Sequence, residues 1–155
     1  MTQRLNYAQQ SPHLFEKFLD FSNAIKQAGI EQPLLDLVDI RASQLNGCAF
    51  CLDMHVKQAK IHGERELRIH HLSIWRESPL FSAPERAALV WTEVLTRIPE
   101  GGVPDETYEH VRSHFSEKEV VDLTFLGAVI NAWNRIAISM RSVPGIYQPR
   151  GATHG

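Results

Sequence analysis

Of the 21 residues between positions 120 and 140, 14 are Val, Leu, Phe, Ala, Ile, Trp or Met. The stretch follows Ser116-Glu117-Lys118-Glu119, whose serine and second glutamate have the spacing of a helix capping box, and it stops short of Pro144-Gly145. These signals predict one long helix reaching about Arg141. Its apolar coverage is too broad for a single buried stripe, so the helix is expected to be central or covered by another subunit. Within it, the uncharged run 123–134 is too short for a membrane span, which needs about 20 apolar residues.

The rest of the chain carries helix signals and no convincing strand. Ser11 is a candidate N-cap before Pro12, and Leu14, Phe15, Phe18, Leu19, Ala24 and Ile25 recur at helical spacing up to Gly29. Pro33 opens a second helix, lined by Leu34, Leu35, Val38, Ala42 and Leu45, and Asn46-Gly47 is a turn signal. A third helix is predicted from about Cys48 to His62, with Gly63 as its left-handed cap. Short helices follow over 64–72 and 104–114, and a capped one starts at Ser82-Ala83-Pro84-Glu85 and reaches about Arg97. The expected architecture is all-α, a single-domain helical bundle over 1–145 with a flexible tail, 146–155.

At 155 residues the chain can bury roughly 68–70% of its unfolded surface, so it needs no disulfide staple. A net charge of −2 gives no electrostatic reason to bind nucleic acid or an anionic membrane. The opening residues Met1-Thr2-Gln3-Arg4-Leu5-Asn6 lack the apolar core of a secretory signal. A cytoplasmic location is therefore expected, where a dithiol stays reducible.

The two cysteines sit together in Gly47-Cys48-Ala49-Phe50-Cys51-Leu52-Asp53-Met54-His55. With Cys48 at a helix start, Cys48 and Cys51 share the first turn, and Cys51 and His55, four apart, share a face. Unpaired N–H groups and the helix dipole favour a thiolate there. His55 is placed to take a proton from Cys51, directly or through one water, and works better if a carboxylate fixes its tautomer. Asp36 and Asp39 on the preceding helix are the candidates; Asp53 should face elsewhere. A zinc site is disfavoured, because structural zinc takes four ligands and there is no second CxxC. His110 and His114 are also four apart, but a solvated helix face accounts for them as well as a metal does. No metal or bound cofactor is expected. Redox chemistry of the dithiol is the favoured reading over inert buried cysteines.

From Leu34 to His55 the chain resembles the core of the alkylhydroperoxidase D-like proteins of the carboxymuconolactone decarboxylase superfamily. That family's pattern is an acidic residue, eleven positions, CxxC, three positions and His, which Asp36, Cys48, Cys51 and His55 match. Ala88-Leu89-Val90-Trp91-Thr92-Glu93 and Asn131-Ala132-Trp133-Asn134-Arg135 are also similar, so the likeness runs over about 10–145. The resemblance implies an all-α fold assembling as a trimer or hexamer, and thiol-dependent reduction of a hydroperoxide. It makes Cys51 the attacking thiol, Cys48 the resolving thiol, His55 the base and Asp36 the end of a proton relay. An external dithiol, a lipoyl group in some members, would return the electrons. Asp36 stands where the family usually has glutamate, and Phe50 where some members carry a histidine between the cysteines.

Two other readings use the same dithiol. One is a general thiol–disulfide oxidoreductase that never meets peroxide. The other is a redox-sensing protein that oxidises once and changes its assembly. The decarboxylase branch of the superfamily does not depend on a CxxC and fits less well.

Overall fold

The computed structural model describes residues 2–149. Its regular elements, among the described residues, are helices: α1 (Tyr7–Gln10), α2 (Pro12–Lys26), α3 (Gln32–Asn46), α4 (Ala49–Ile61), α5 (Glu66–His71) with a 3-10 turn (Leu72–Ile74), α6 (Ala83–Thr96), α7 (Asp105–Arg112) and α8 (Glu117–Met140). The all-α expectation holds. Both capping boxes form, at Ser82 with Glu85 and at Ser116 with Glu119. One helix escapes the sequence pattern. α1 is a single turn capped by Asn6, whose side chain accepts from the N–H groups of Ala8 and Gln9. Ser11 stands at the N-cap of α2, but its side chain caps nothing.

α3 is the spine. It packs against α4, α6 and α8. Leu35, Val38 and Ile25 join Ala88, Trp91, Val111, Leu123 and Leu126 in one apolar cluster. From the other side of α3, Leu37 and Ile40 join Ala59, Leu72, Trp75 and Leu89. A helix clad in apolar residues on two sides has room for few polar ones. The polar side chains it does bury, Asp36, Asp39 and Ser43, therefore stand out.

α8 buries Val120, Leu123, Leu126, Ile130, Asn131, Asn134 and Ala137. Its outer side leaves Val121, Phe125 and Ile138 exposed by 52%, 49% and 45%. The surplus of apolar residues is thus not absorbed within one copy of the chain. The indole N–H groups of Trp91 and Trp133 find acceptors in Thr124 Oγ1 and Ser22 Oγ, at 3.0 and 2.8 Å. Among the described residues, no helix is long and apolar enough to cross a membrane.

After α8 the chain turns back over α4. Lys57 Nζ donates to the carbonyls of Gly145 and Tyr147, Gly145 N–H donates to Asp53 Oδ2, and Gln58 Nε2 donates to the Tyr147 hydroxyl. The start of the expected loose tail is therefore held against the helix as far as Tyr147, because Asp53 and Lys57 satisfy its backbone. Residues 150–155 lie outside the described residues.

Candidate redox site

The site grows out of the α3–α4 turn. Gly47 adopts a left-handed conformation, φ 67°, which costs glycine nothing and lets Cys48 N–H reach back to Ser43 O at 3.0 Å. The turn is pinned to α8. Asn46 Nδ2 donates to Asn131 Oδ1 and Asn134 Oδ1 at 2.9 and 2.8 Å, and Asn134 Nδ2 donates to Ser43 Oγ at 3.1 Å. Sequence reading takes Asn46-Gly47 only as a turn signal and misses this anchor.

Cys48 is the N-cap of α4, and its sulfur accepts from the Cys51 N–H at 3.3 Å. The two cysteines are joined as a disulfide, with Cα atoms 5.4 Å apart. They pack against Ala137 of α8, with Phe50 partly buried at their side. Each cysteine is only 2% exposed. The dithiol is therefore a buried group at a helix start, and neither cysteine lines the cavities described below.

His55, one turn beyond Cys51 and 5% exposed, has Nδ1 at 3.3 Å from Asp39 Oδ2. Burial favours the neutral form of both partners. It pushes the Asp39 carboxyl up to about 7 against the opposing charge of Lys26. Burial, reinforced by Lys26, pushes His55 down to about 3, against the opposing effects of the Asp36 charge and a hydrogen bond with Gln58. At neutral pH the contact is thus a 3.3 Å approach of the Asp39 carboxyl to an uncharged imidazole rather than an ion pair.

Asp36, expected to end the relay to His55, makes its own hydrogen bonds with other partners. Its Oδ2 lies 2.8 Å from His62 Nδ1, and its Oδ1 accepts from Gln32 Nε2 at 3.0 Å. Burial raises its carboxyl above the ordinary value, and the charge of Asp39 adds to this, while His62 and Gln32 pull the other way. The reason for the exchange is helix geometry. In an antiparallel pair joined by a tight turn, residues at similar distances from the turn meet. Asp39 is nine residues before Cys48 and His55 seven after it, whereas Asp36 is twelve before and His62 fourteen after. That arithmetic was available in the sequence, and it selects Asp39 for His55.

Two cavities, of about 360 and 330 Å³, open beside this outer pair, and His62 lines both. The first also has Arg68 on its wall, held by Glu64 at 2.9 Å and Glu85 at 2.5 Å. On the far side of α4, Asp53 holds Lys57 at 2.8 Å, away from the dithiol. Arg135 hydrogen-bonds to Asn131 O and Oδ1. The His110 and His114 rings meet edge to face, with centroids 5.4 Å apart. Among the described residues, no group of three or more His, Cys, Asp or Glu converges as for a metal ion.

Residues 12–94 match the profile of the carboxymuconolactone decarboxylase family, and the chain belongs to that family. Among curated proteins, the uncharacterized protein YdfG of Bacillus subtilis is 44% identical over 140 residues, 90% of this chain and 95% of its own length. A crystal structure from Agrobacterium tumefaciens, described as a protein of unknown function and putative antioxidant defence protein AhpD, superposes with a TM-score of 0.90 at 42% identity. It covers 94% of this chain and 100% of its own. A peroxidase-related protein from Ralstonia eutropha, described as having an alkylhydroperoxidase AhpD core, shares the fold at 18% identity. Its TM-score is 0.80, over 90% of this chain and 74% of its own. Within the family, this chain is an AhpD-like all-α member carrying a CxxC pair.

Proposed function

We propose that the protein is a thiol-dependent hydroperoxide reductase. The observation that carries this reading is the Cys48–Cys51 pair at the start of α4, one turn from an uncharged imidazole, His55, that lies 3.3 Å from the buried Asp39 carboxyl. A helix start favours sulfur as thiolate, and His55 is the group on the same face to take its proton. The Agrobacterium relative, described as a putative antioxidant defence protein, is consistent with this chemistry.

In the reduced protein, His55 accepts the Cys51 proton and the thiolate attacks the terminal oxygen of a hydroperoxide. The O–O bond breaks, the alkoxide leaves with the proton from His55, and Cys51 becomes a sulfenic acid. Cys48 thiolate then attacks the Cys51 sulfur. An S–S bond forms, and the hydroxide released takes the proton that Cys48 gave up to His55 on becoming a thiolate and leaves as water. Two electrons from an external dithiol, of lipoyl type or similar, reduce the disulfide for the next turnover. Asp39 is assigned here the orienting role that the family pattern gives to the position of Asp36. Because both sulfurs are buried, substrate reaches Cys51 through a local opening beside Phe50. This geometry favours a small peroxide or a slender dithiol over a folded disulfide protein.

The same reading has the chain act as a cytoplasmic homo-oligomer, trimeric or hexameric, with Val121, Phe125 and Ile138 of α8 covered by a neighbouring copy. Sizing the purified protein tests the assembly. The function is tested by adding cumene hydroperoxide to the reduced protein and counting free thiols. Loss of two thiols per chain, with Cys51→Ser inert, is expected. Retention of both thiols, or a Cys51→Ser variant as fast as the parent, contradicts the reading.

A further inference from the structure

The dithiol is sealed from solvent, yet its chemistry moves protons. Cys51 must lose one before it attacks, and the leaving alkoxide or thiolate must gain one. Beside the sealed site the structure holds a second Asp–His pair. Asp36 and Asp39 are three apart on α3, and His55 of α4 and His62 at its C-cap are seven apart, so each pair of like residues shares a face. The result is two stacked rungs across the same two helices. The inner rung, Asp39 with His55, is buried, and His55 follows Cys51 by one turn of α4. The outer rung, Asp36 with His62, has a carboxylate 5% exposed and an imidazole 36% exposed in their side chains. His62 opens onto both cavities. The rungs also feel one another, since the charge of Asp39 acts on Asp36 and the charge of Asp36 acts on His55.

We propose that His62 is the solvent end of a proton path into the buried dithiol, exchanging protons in the cavities and passing them to the inner pair through Asp36, the relay position of the family pattern. The charged and polar groups facing this path are Lys26 from α2, Gln32 from α3, Gln58 from α4, and Glu64, Arg65 and Arg68 around the outer cavity. The two histidines thereby differ in task. His55 is beside the reacting thiol, whereas His62 acts through Asp36 and touches no substrate. The inference rests on the proposed dithiol chemistry but not on the identity of the oxidant.

The test follows thiol oxidation of the reduced full-length protein by stopped flow, with two oxidants, cumene hydroperoxide and bis(2-hydroxyethyl) disulfide, at several imidazole concentrations. Three proteins are compared: the parent, His62→Ala and His62→Asn. The Asn amide can replace the hydrogen bond from Nδ1 to Asp36 but cannot carry a proton. The parent should be indifferent to imidazole. Both variants should be slower by about a hundredfold, the scale of general acid–base catalysis. Imidazole entering the vacated cavity should restore His62→Ala. Parent-like rates in both variants, or full recovery in His62→Asn, overturn the proposal, the second because it reduces His62 to a hydrogen-bonding support. If the parent ignores peroxide but reacts with the disulfide, the peroxidase reading fails, and the disulfide rates alone decide the proton path.

Discussion

Asp39 Oδ2 lies 3.3 Å from His55 Nδ1, which sets the Asp39 carboxyl against the imidazole one turn beyond the dithiol. Asp36, one turn earlier on the same face of α3, is engaged by His62 at 2.8 Å instead. The two carboxylates therefore have separable effects.

Replacing Asp39 by Asn should slow peroxide-dependent thiol oxidation by about a hundredfold, the scale on which a positioned proton-transfer group contributes. The pH profile should change as well. Burial raises the Asp39 carboxyl to about 7, and in the proposed mechanism its charged form is the one that supports a proton on His55. Thiol oxidation in the parent should rise through pH 7 and continue upward as the thiols themselves ionise. In Asp39→Asn the inflection near 7 should be gone. Rates followed from pH 5 to 9 check this.

The same pair makes stability depend on pH in two opposing ways. Burial raises Asp39, so the folded state holds a proton that the unfolded chain releases from about pH 3.8 upward. Its contribution to stability is lost as pH rises towards 7. Burial lowers His55, so the unfolded chain takes up a proton below about 6.5 that the folded state refuses until about 3. Stability from this group is lost as pH falls through that window. Asp39→Asn removes the first effect alone. Denaturant unfolding at a series of pH values should show the variant gaining on the parent between about pH 4 and 7, by an amount on the order of a few kcal/mol, and holding constant above.

The helices were legible in the sequence because their ends are written locally. Ser82 with Glu85 and Ser116 with Glu119 cap where their spacing says, and Gly47 and Gly63 end α3 and the turn after α4 with positive φ. α1 was not legible, since a single turn capped by Asn6 leaves no periodicity to read. The dithiol and His55 were legible as one helix face. The partner of His55 was legible only by counting outward from the α3–α4 turn, because local spacing puts Asp36 and Asp39 on the same face and only the pairing of the two helices separates them. The anchoring of the turn by Asn46 was invisible for the same reason, its partners lying 85 and 88 residues away.

That anchor carries its own expectation. Asn46→Ala strips Asn134 Oδ1, on a fully buried residue, of its donor, and leaves Asn131 Oδ1 with Arg135 alone. A buried acceptor without a partner costs about 1–3 kcal/mol. The variant should lose stability on that scale. Thiol oxidation should also slow, because the turn that presents Cys48 and Cys51 is no longer tied to α8. Thermal unfolding and thiol kinetics on the same sample check the two effects.

Phe50 packs against the cysteines and is itself only partly buried. Trimming it to alanine should open the way to Cys51 and speed oxidation by a bulky peroxide more than by hydrogen peroxide. The stability cost should stay below the ~3–5 kcal/mol typical of a fully buried phenylalanine. Equal acceleration with both oxidants would place the opening elsewhere.

The most direct measurement isolates the attacking sulfur. With Cys48→Ser the sulfenic acid formed on the other cysteine cannot be resolved, so brief exposure to cumene hydroperoxide in the presence of dimedone should leave Cys51 carrying the adduct by mass spectrometry. The mirror variant, Cys51→Ser, should remain unmodified under the same conditions. An unlabelled Cys51, or labelling of Cys48 in the mirror variant at a comparable rate, would contradict the assignment of Cys51 as the peroxide-reducing thiol.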